Sequence, residues 1–310
     1  MPGGTALIFV RAKDTGLGER VQQERAAAMA KHAVLVLGAT GRIGRLLQLC
    51  PPEGLDLRLQ ARRMPQLPGD WHIFDPLAEP AALARAAEGA AAILCLAGPV
   101  PGRGAGDMAD HIHLGEAAVR AGAAAGARVL LASSAAVYGA GSGLLAEDAA
   151  LQPANPYGAA KAEMEARAAA LGAELAVPVC SLRIGNIAGF DAALGGWRRG
   201  FTLDRFADGA TPRRSYIGVR CLAQVLGALL RAPDLPPVLN VAQPEAVEMG
   251  ALLQAAGKPF ATRPAPPAAI PEVALDAARL QALLPVPLPA ADAGAMAAEW
   301  AALEPDMADD

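Results

Sequence analysis

The chain has 310 residues, 27 Lys and Arg against 31 Asp and Glu, and a net charge of -4. Basic residues stand singly or in pairs, as at Arg62-Arg63, Arg198-Arg199 and Arg213-Arg214, which points away from nucleic acid and anionic membranes as partners. The hydrophobic share of 53% is raised by alanine, and no stretch reaches the ~20 apolar residues of a membrane span.

Four cysteines, Cys50, Cys95, Cys180 and Cys221, lie far apart with no Cys-x-x-Cys pair. They fit neither a zinc site nor a disulfide framework, and point to a reducing cytoplasm. Residues 1–28 hold one short apolar run, 6–10, and then a polar stretch with no matching partner. They lack the basic start and long apolar centre of a secretory signal and are expected to form a loosely held extension.

Residues 33–37 read as a buried strand, followed by Gly38, Gly41 and Gly44 at a spacing of three and by an apolar helical pattern through Ile43, Leu46 and Leu47. A strand running through a glycine-rich turn into a helix is the opening of a dinucleotide-binding βαβ unit. Gly38 allows the turn, Gly41 the approach of a pyrophosphate, and Gly44 close packing of helix on strand. Thr40, Arg42 and Ile43 lie in the same turn, where amide groups and the helix dipole attract phosphate.

A second strand is expected over residues 55–60. The acidic residue that holds the ribose of NAD should follow about 20 positions beyond the first glycine, where Gln60 and Ala61 stand. Arg62 and Arg63 come next. They suit the 2′-phosphate of NADP, making NADP the expected cofactor over NAD; a solvated surface pair is the plainer alternative. A third strand (71–74) ends before Asp75. A helix (80–88) and a fourth strand (90–96) lead to Ala97-Gly98-Pro99, at a strand end where ligands bind in such sheets.

Residues 107–125 read as a helix carrying His111 and His113. Positions i and i+2 face different sides, so the two histidines do not converge on a metal. A fifth strand (128–133) runs into Ser133-Ser134. A helix then opens at Pro156-Tyr157 and reaches about residue 171, and a sixth strand (177–182) precedes Arg183-Ile-Gly-Asn186. Beyond residue 189 the alternation weakens. A strand (215–219), a helix (221–231), a strand (237–242) and a helix (249–256) follow, and then a proline- and alanine-rich stretch at 263–271. The layout is a doubly wound parallel α/β sheet of the Rossmann type over residues 29–185. Residues 186–310 are expected to be mainly a smaller, irregular substrate-binding region with elements returning to the sheet.

Tyr157 and Lys161 are four apart on a helix and share a face. A phenol with a reference pKa of ~10 is a poor acid or base at neutral pH; a neighbouring ammonium favours the phenolate. Tyr157 then exchanges a hydroxyl proton as hydride moves to or from nicotinamide, with Ser134 on the reacting oxygen. An exposed tyrosine beside a surface lysine is the plainer reading of the pair taken alone.

The glycine motif, Ser134-Ala-Ala-Val-Tyr-Gly139, Pro156-Tyr-Gly-Ala-Ala-Lys161 and Leu182-Arg-Ile-Gly-Asn186 occur in the order seen in one family. Over roughly residues 33–290 the chain resembles the extended short-chain dehydrogenase/reductases, in the NAD(P)-dependent epimerase/dehydratase branch. The resemblance implies catalytic Ser134, Tyr157 and Lys161. It implies that Asp75 contacts the adenine, and that Ala97 and Gly98 line the cofactor. Asn186 and Arg214 then touch substrate, the latter at a diphosphate. It also implies a homodimer through the helices at 107–125 and 157–171.

The chain departs from the family at Cys221 (usually Asp), Gly218 (often His) and His111 (commonly Asn). The segment between Gly189 and Arg214 is short, and Ala135-Ala136 replace the Asp-Glu pair of sugar dehydratases. These departures leave reversible hydride transfer, in epimerisation or carbonyl reduction, on a sugar derivative or another small carbonyl compound. A non-catalytic dinucleotide-binding sensor or scaffold is the alternative.

Overall fold

The computed structural model describes residues 32–100, 106–139, 141 and 143–307; the extension expected over residues 1–28 lies outside them. The chain opens with β1 (His32–Leu37), α1 (Arg42–Leu49), β2 (Leu55–Ala61), β3 (Asp70–Ile73), α2 (Pro80–Ala87) and β4 (Ala92–Cys95). It continues with α3 (Asp110–Ala125), β5 (Arg128–Ser134), a 3₁₀ turn (Ala135–Val137), β6 (Leu144–Leu145), α4 (Pro156–Leu175) and β7 (Val179–Ile184). Then come β8 (Asn186–Ile187), β9 (Thr202–Arg205), β10 (Arg213–Ile217), α5 (Val219–Arg231), β11 (Val238–Val241), β12 (Ala246–Glu248) and α6 (Met249–Ala255). The last elements are β13 (Ala261–Pro264), β14 (Glu272–Leu275), α7 (Ala278–Leu283) and α8 (Ala293–Met307).

Seven strands pair in the order β11-β7-β5-β4-β1-β2-β3, every neighbour parallel. A parallel sheet is covered on both faces, so its strands are apolar on both sides. β1 shows why the run reads without alternation. Val34 and Val36 enter one core with Leu46 and Leu47 of α1 and Leu226 of α5. Leu35 and Leu37 enter the other with Leu83 of α2, Val119 of α3 and Met164 of α4. All four β1 side chains are fully buried, each contributing roughly 1.5–3 kcal/mol.

The chain passes from β1 outward to β3, then returns to lay β4 on the other side of β1. The crevice between the carboxyl ends of β1 and β4 is the topological switch point, where such sheets bind ligands.

The region after residue 185 is more regular than its sequence suggested. β12, β10, β14 and β6 form a second sheet, β8 pairs with β10, and β13 pairs with β9. β11 returns to the edge of the main sheet beside β7. The strand expected at 215–219 is β10, two residues earlier, because Gly218 caps α5 and Val219 already belongs to the helix. α7 and α8 have no counterpart in the sequence reading. α8 is alanine-rich all round, which leaves little amphipathic period, yet it buries Met296, Trp300 and Leu303.

Candidate active site

At the end of β1, Gly38 takes φ +76, and a Cβ there would lie 2.7 Å from the backbone of Ala97. Only glycine lets the two strand ends meet so closely. Gly41 caps α1 with no side-chain hydrogen bond, and the first turn holds no acidic residue. No side-chain cap and no carboxylate therefore occupy the start of α1, which is what a pyrophosphate site requires. Gln60, which the sequence reading saw only as a missing acid, braces this turn. Its amide oxygen accepts from the Gly38 N–H at 2.9 Å and its nitrogen donates to the Phe74 carbonyl at 2.7 Å. Arg62 and Arg63 follow, both exposed.

Ser134 ends β5, and its hydroxyl accepts from the Ala136 N–H at 3.2 Å as the 3₁₀ turn begins. α4 starts against that turn. Asn155 caps it, accepting from Gly158 N–H at 2.9 Å, and Pro156 fills the first helical position. A Cβ on Gly158 would lie 2.4 Å from the Ala136 carbonyl. This close contact sets Tyr157 beside Ser134.

Lys161 is almost fully buried, and its ammonium donates to the Ala132 carbonyl at 2.6 Å. It lies 5.8 Å from the centre of the Tyr157 ring. Burial lowers its pKa to about 8, with Cys95 and Glu165 acting the other way. Tyr157 is raised by burial, opposed by hydrogen bonding to Ser134 and by the charge of Arg42. The charge of Arg42 from α1 thus favours the phenolate here, while Lys161, its ammonium 5.8 Å from the ring centre, is held on the Ala132 carbonyl of β5.

His111 of α3 forms part of the wall. Its ring lies edge-on to Tyr157 with centroids 5.5 Å apart, and a Cβ on Gly98 would meet Nδ1 at 2.2 Å. Both ring nitrogens are buried, and among the described residues neither makes a hydrogen bond of normal geometry. Burial, and then the charge of Lys161, push its pKa down to about 4 from 6.5, with the Pro99 backbone opposing. Between these values the unfolded chain binds more protons than the folded one, so stability falls with falling pH. Unfolding of wild type and His111→Asn, followed across this window, should differ in slope by at most about 1.4 kcal/mol per pH unit, the variant being flatter. Parallel slopes would contradict the neutral, buried imidazole.

A cleft of about 400 Å³ gathers Gly38, Gly41, Arg42, Ile43, Gly44, Gly98, Ser134, Tyr157, Lys161 and Asn186 on one surface. Phe190, Asp191 and His111 also line it; no sequence signal had singled out the first two. Thr40, Arg62, Arg63, Asp75, Ala97 and Arg214 do not line it. Thr40 is exposed on the turn, and Ala97 packs behind Gly38. The Asp75 carboxylate accepts from Leu77 and Ala78 N–H in its own loop. The Arg214 guanidinium donates to the carbonyls of Arg213, Pro271 and Ile270, at 2.6, 3.2 and 2.9 Å. A larger cleft of about 770 Å³, lined by Arg205, Phe206 and a row of prolines, gathers no acid–base pair.

Residues 34–242 match the NAD dependent epimerase/dehydratase family. The chain belongs to that family. No curated protein matches the sequence. Among solved structures, a short-chain dehydrogenase/reductase superfamily protein from Agrobacterium tumefaciens with bound NAD is 20% identical, with a TM-score of 0.71. The match covers 89% of this chain and 98% of that one. UDP-glucose 4-epimerase from Bifidobacterium longum, in complex with NAD+ and UDP, is 19% identical at a TM-score of 0.69, covering 89% and 99% of the two chains. UDP-N-acetylglucosamine 4-epimerase from Bacillus cereus is 15% identical at 0.69, covering 87% and 98%. At these identities the likeness establishes the shared fold.

Among the described residues no helix is long and apolar enough to cross a membrane, and no cluster of three His, Cys, Asp or Glu suits a metal ion.

Proposed function

We propose that this family member is an NAD(P)-dependent oxidoreductase or epimerase. It moves hydride between nicotinamide and a secondary alcohol or ketone of a sugar derivative or other small carbonyl compound. The carrying observation is that Ser134, Tyr157 and Lys161 share one cleft with the uncapped glycine turn at the switch point of the sheet. The residues present fit a dinucleotide: open amide groups, Arg42 for the pyrophosphate, and Lys161 within the cleft for the nicotinamide ribose. The bound nicotinamide would supply or accept the hydride.

Tyr157, held in its protonated form by burial, donates to the carbonyl oxygen in the reducing direction. Ser134 hydrogen-bonds the same oxygen, and Asn186 faces the substrate. The carbonyl clamp on Arg214 favours a substrate without a diphosphate for that arginine to hold. Incubation with a panel of carbonyl compounds and nucleotide sugars, with reduced or oxidised dinucleotide, tests the reading. Tight dinucleotide binding with no turnover on any member would favour a sensor or scaffold instead.

NADP is the proposed cofactor, with NAD second. Gln60 occupies the place of the ribose-binding acid, and two exposed guanidinium groups follow it at the end of β2. Arg62→Ala should weaken NADP binding by about 10- to 150-fold, one charge-assisted hydrogen bond being worth roughly 1.5–3 kcal/mol, and leave NAD binding unchanged. Unaltered NADP affinity by calorimetry would discard that role.

A homodimer is proposed through α3 and α4, where Ala159, Ala166 and Ala170 are exposed on α4; a monomer mass in light scattering would remove it. The four free thiols fit the proposed cytoplasmic setting.

A further inference from the structure

The family match ends at residue 242, whereas α8 begins at Ala293. That helix does not line the cleft, but it touches Phe190, which does. It packs directly on α1, the helix that follows the glycine turn. Its Trp300 is buried and lies edge-to-face against Phe190, with centroids 5.8 Å apart at 90°. The same indole fills the space beside Gly189, where a Cβ would lie 2.2 Å from the ring. Gly189 takes φ +97, so the chain turns there under the tryptophan.

Phe190 in turn grips Arg42 twice. Its ring centre lies 5.5 Å from the guanidinium carbon, and its carbonyl accepts a hydrogen bond from Arg42 Nη1. Phe190 and Arg42 both line the cleft.

We propose that Trp300 is a positioning residue of the dinucleotide site, holding Phe190 and through it Arg42. This rests on the dinucleotide-binding reading above. A long guanidinium held by fewer contacts loses rotamer order, and each contact it makes with an anion must then bear more of the cost of ordering it. The end of the chain, outside the matched region, thereby sets cofactor affinity.

Calorimetric titration of NADP+ and NAD+ into the full chain tests it. Wild type binding neither dinucleotide would overturn the parent reading. Given wild-type binding, Trp300→Leu should raise Kd about tenfold, while Trp300→Phe, which keeps an aromatic edge, should recover most of the loss. Leu303→Ala removes a buried side chain from the same helix while keeping the Trp300 indole against Phe190, and should lower stability but leave Kd within about threefold. Equal weakening in Leu303→Ala and Trp300→Leu would overturn the proposal, as would no weakening in Trp300→Leu.

The double variant decides whether the effect passes through Arg42. In an Arg42→Ala background Trp300→Leu should add little, because coupled residues are non-additive; full additivity would overturn it. Phe190→Leu leaves α8 intact and must show the same weakening and the same non-additivity, so the test survives even if Trp300→Leu does not fold.

Discussion

Tyr157→Phe is expected to reduce turnover by about two to four orders of magnitude, the range supplied by a positioned general acid or base. Dinucleotide affinity should stay within about threefold of wild type. The substitution removes one oxygen from a ring that keeps its packing against His111, so the cleft retains its shape. In the proposed mechanism the reducing direction depends on the proton that burial retains on the phenol; the oxidising direction depends on losing it, helped by Ser134 and Arg42. Lys161, with a pKa near 8, stays charged through neutrality and loses its proton soon above it. Steady-state rates for the two proteins, beside calorimetric Kd values, decide the matter. Full turnover in the phenylalanine variant would end the acid–base role of Tyr157; loss of binding together with turnover would make it a structural residue.

The parallel sheet was legible because burial on both faces makes a strand an unbroken apolar run, and residues 33–37 are such a run. Gly38, Gly41 and Gly44 were legible for a related reason: the turn needs missing side chains, and sequence records those directly. The pairing of Tyr157 with Lys161 followed from helical spacing. What spacing does not record is where a long side chain sends its charge. Lys161 donates to the Ala132 carbonyl, and Arg42, more than a hundred residues earlier, adds its charge at Tyr157. Arg214 was read as a substrate ligand, and the structure ties it to three carbonyls. In the sequence His111 stands out only as half of a non-converging histidine pair and as a departure from the family's usual asparagine. Its approach to Gly98 and Tyr157 depends on how α3 lies across β4, which no local pattern encodes. α8 escaped notice because alanine on every side hides the face on which Trp300 is buried.

Beneath the cleft lies a buried polar network whose disruption should be the most costly single change to stability. Glu165 and Arg183 are both almost fully buried. The guanidinium donates from Nε at 3.1 Å and from Nη2 at 2.7 Å to one carboxylate oxygen, and the Ser133 hydroxyl donates to the other. Nη1 donates to the Tyr138 hydroxyl and the Glu147 carbonyl, each at 2.8 Å, and Tyr138 donates to Asn240 at 2.7 Å. The network thus joins α4 to β5, β7 and β11, the elements that carry Lys161 and Ser134. Removing one partner of a buried pair leaves an uncompensated charge, at a cost of about 3–5 kcal/mol. Glu165→Leu and Arg183→Leu should each lose that much in denaturant unfolding. Arg183→Leu should lose the more, since it also strips the Tyr138 hydroxyl of a donor. The double variant removes both charges and should lose less than the two single changes combined, with a coupling of about 1–3 kcal/mol. Single variants that unfold within about 1 kcal/mol of wild type would mean that water reaches this pair. The anchoring of α4 would then need another explanation for how Lys161 is held one turn away.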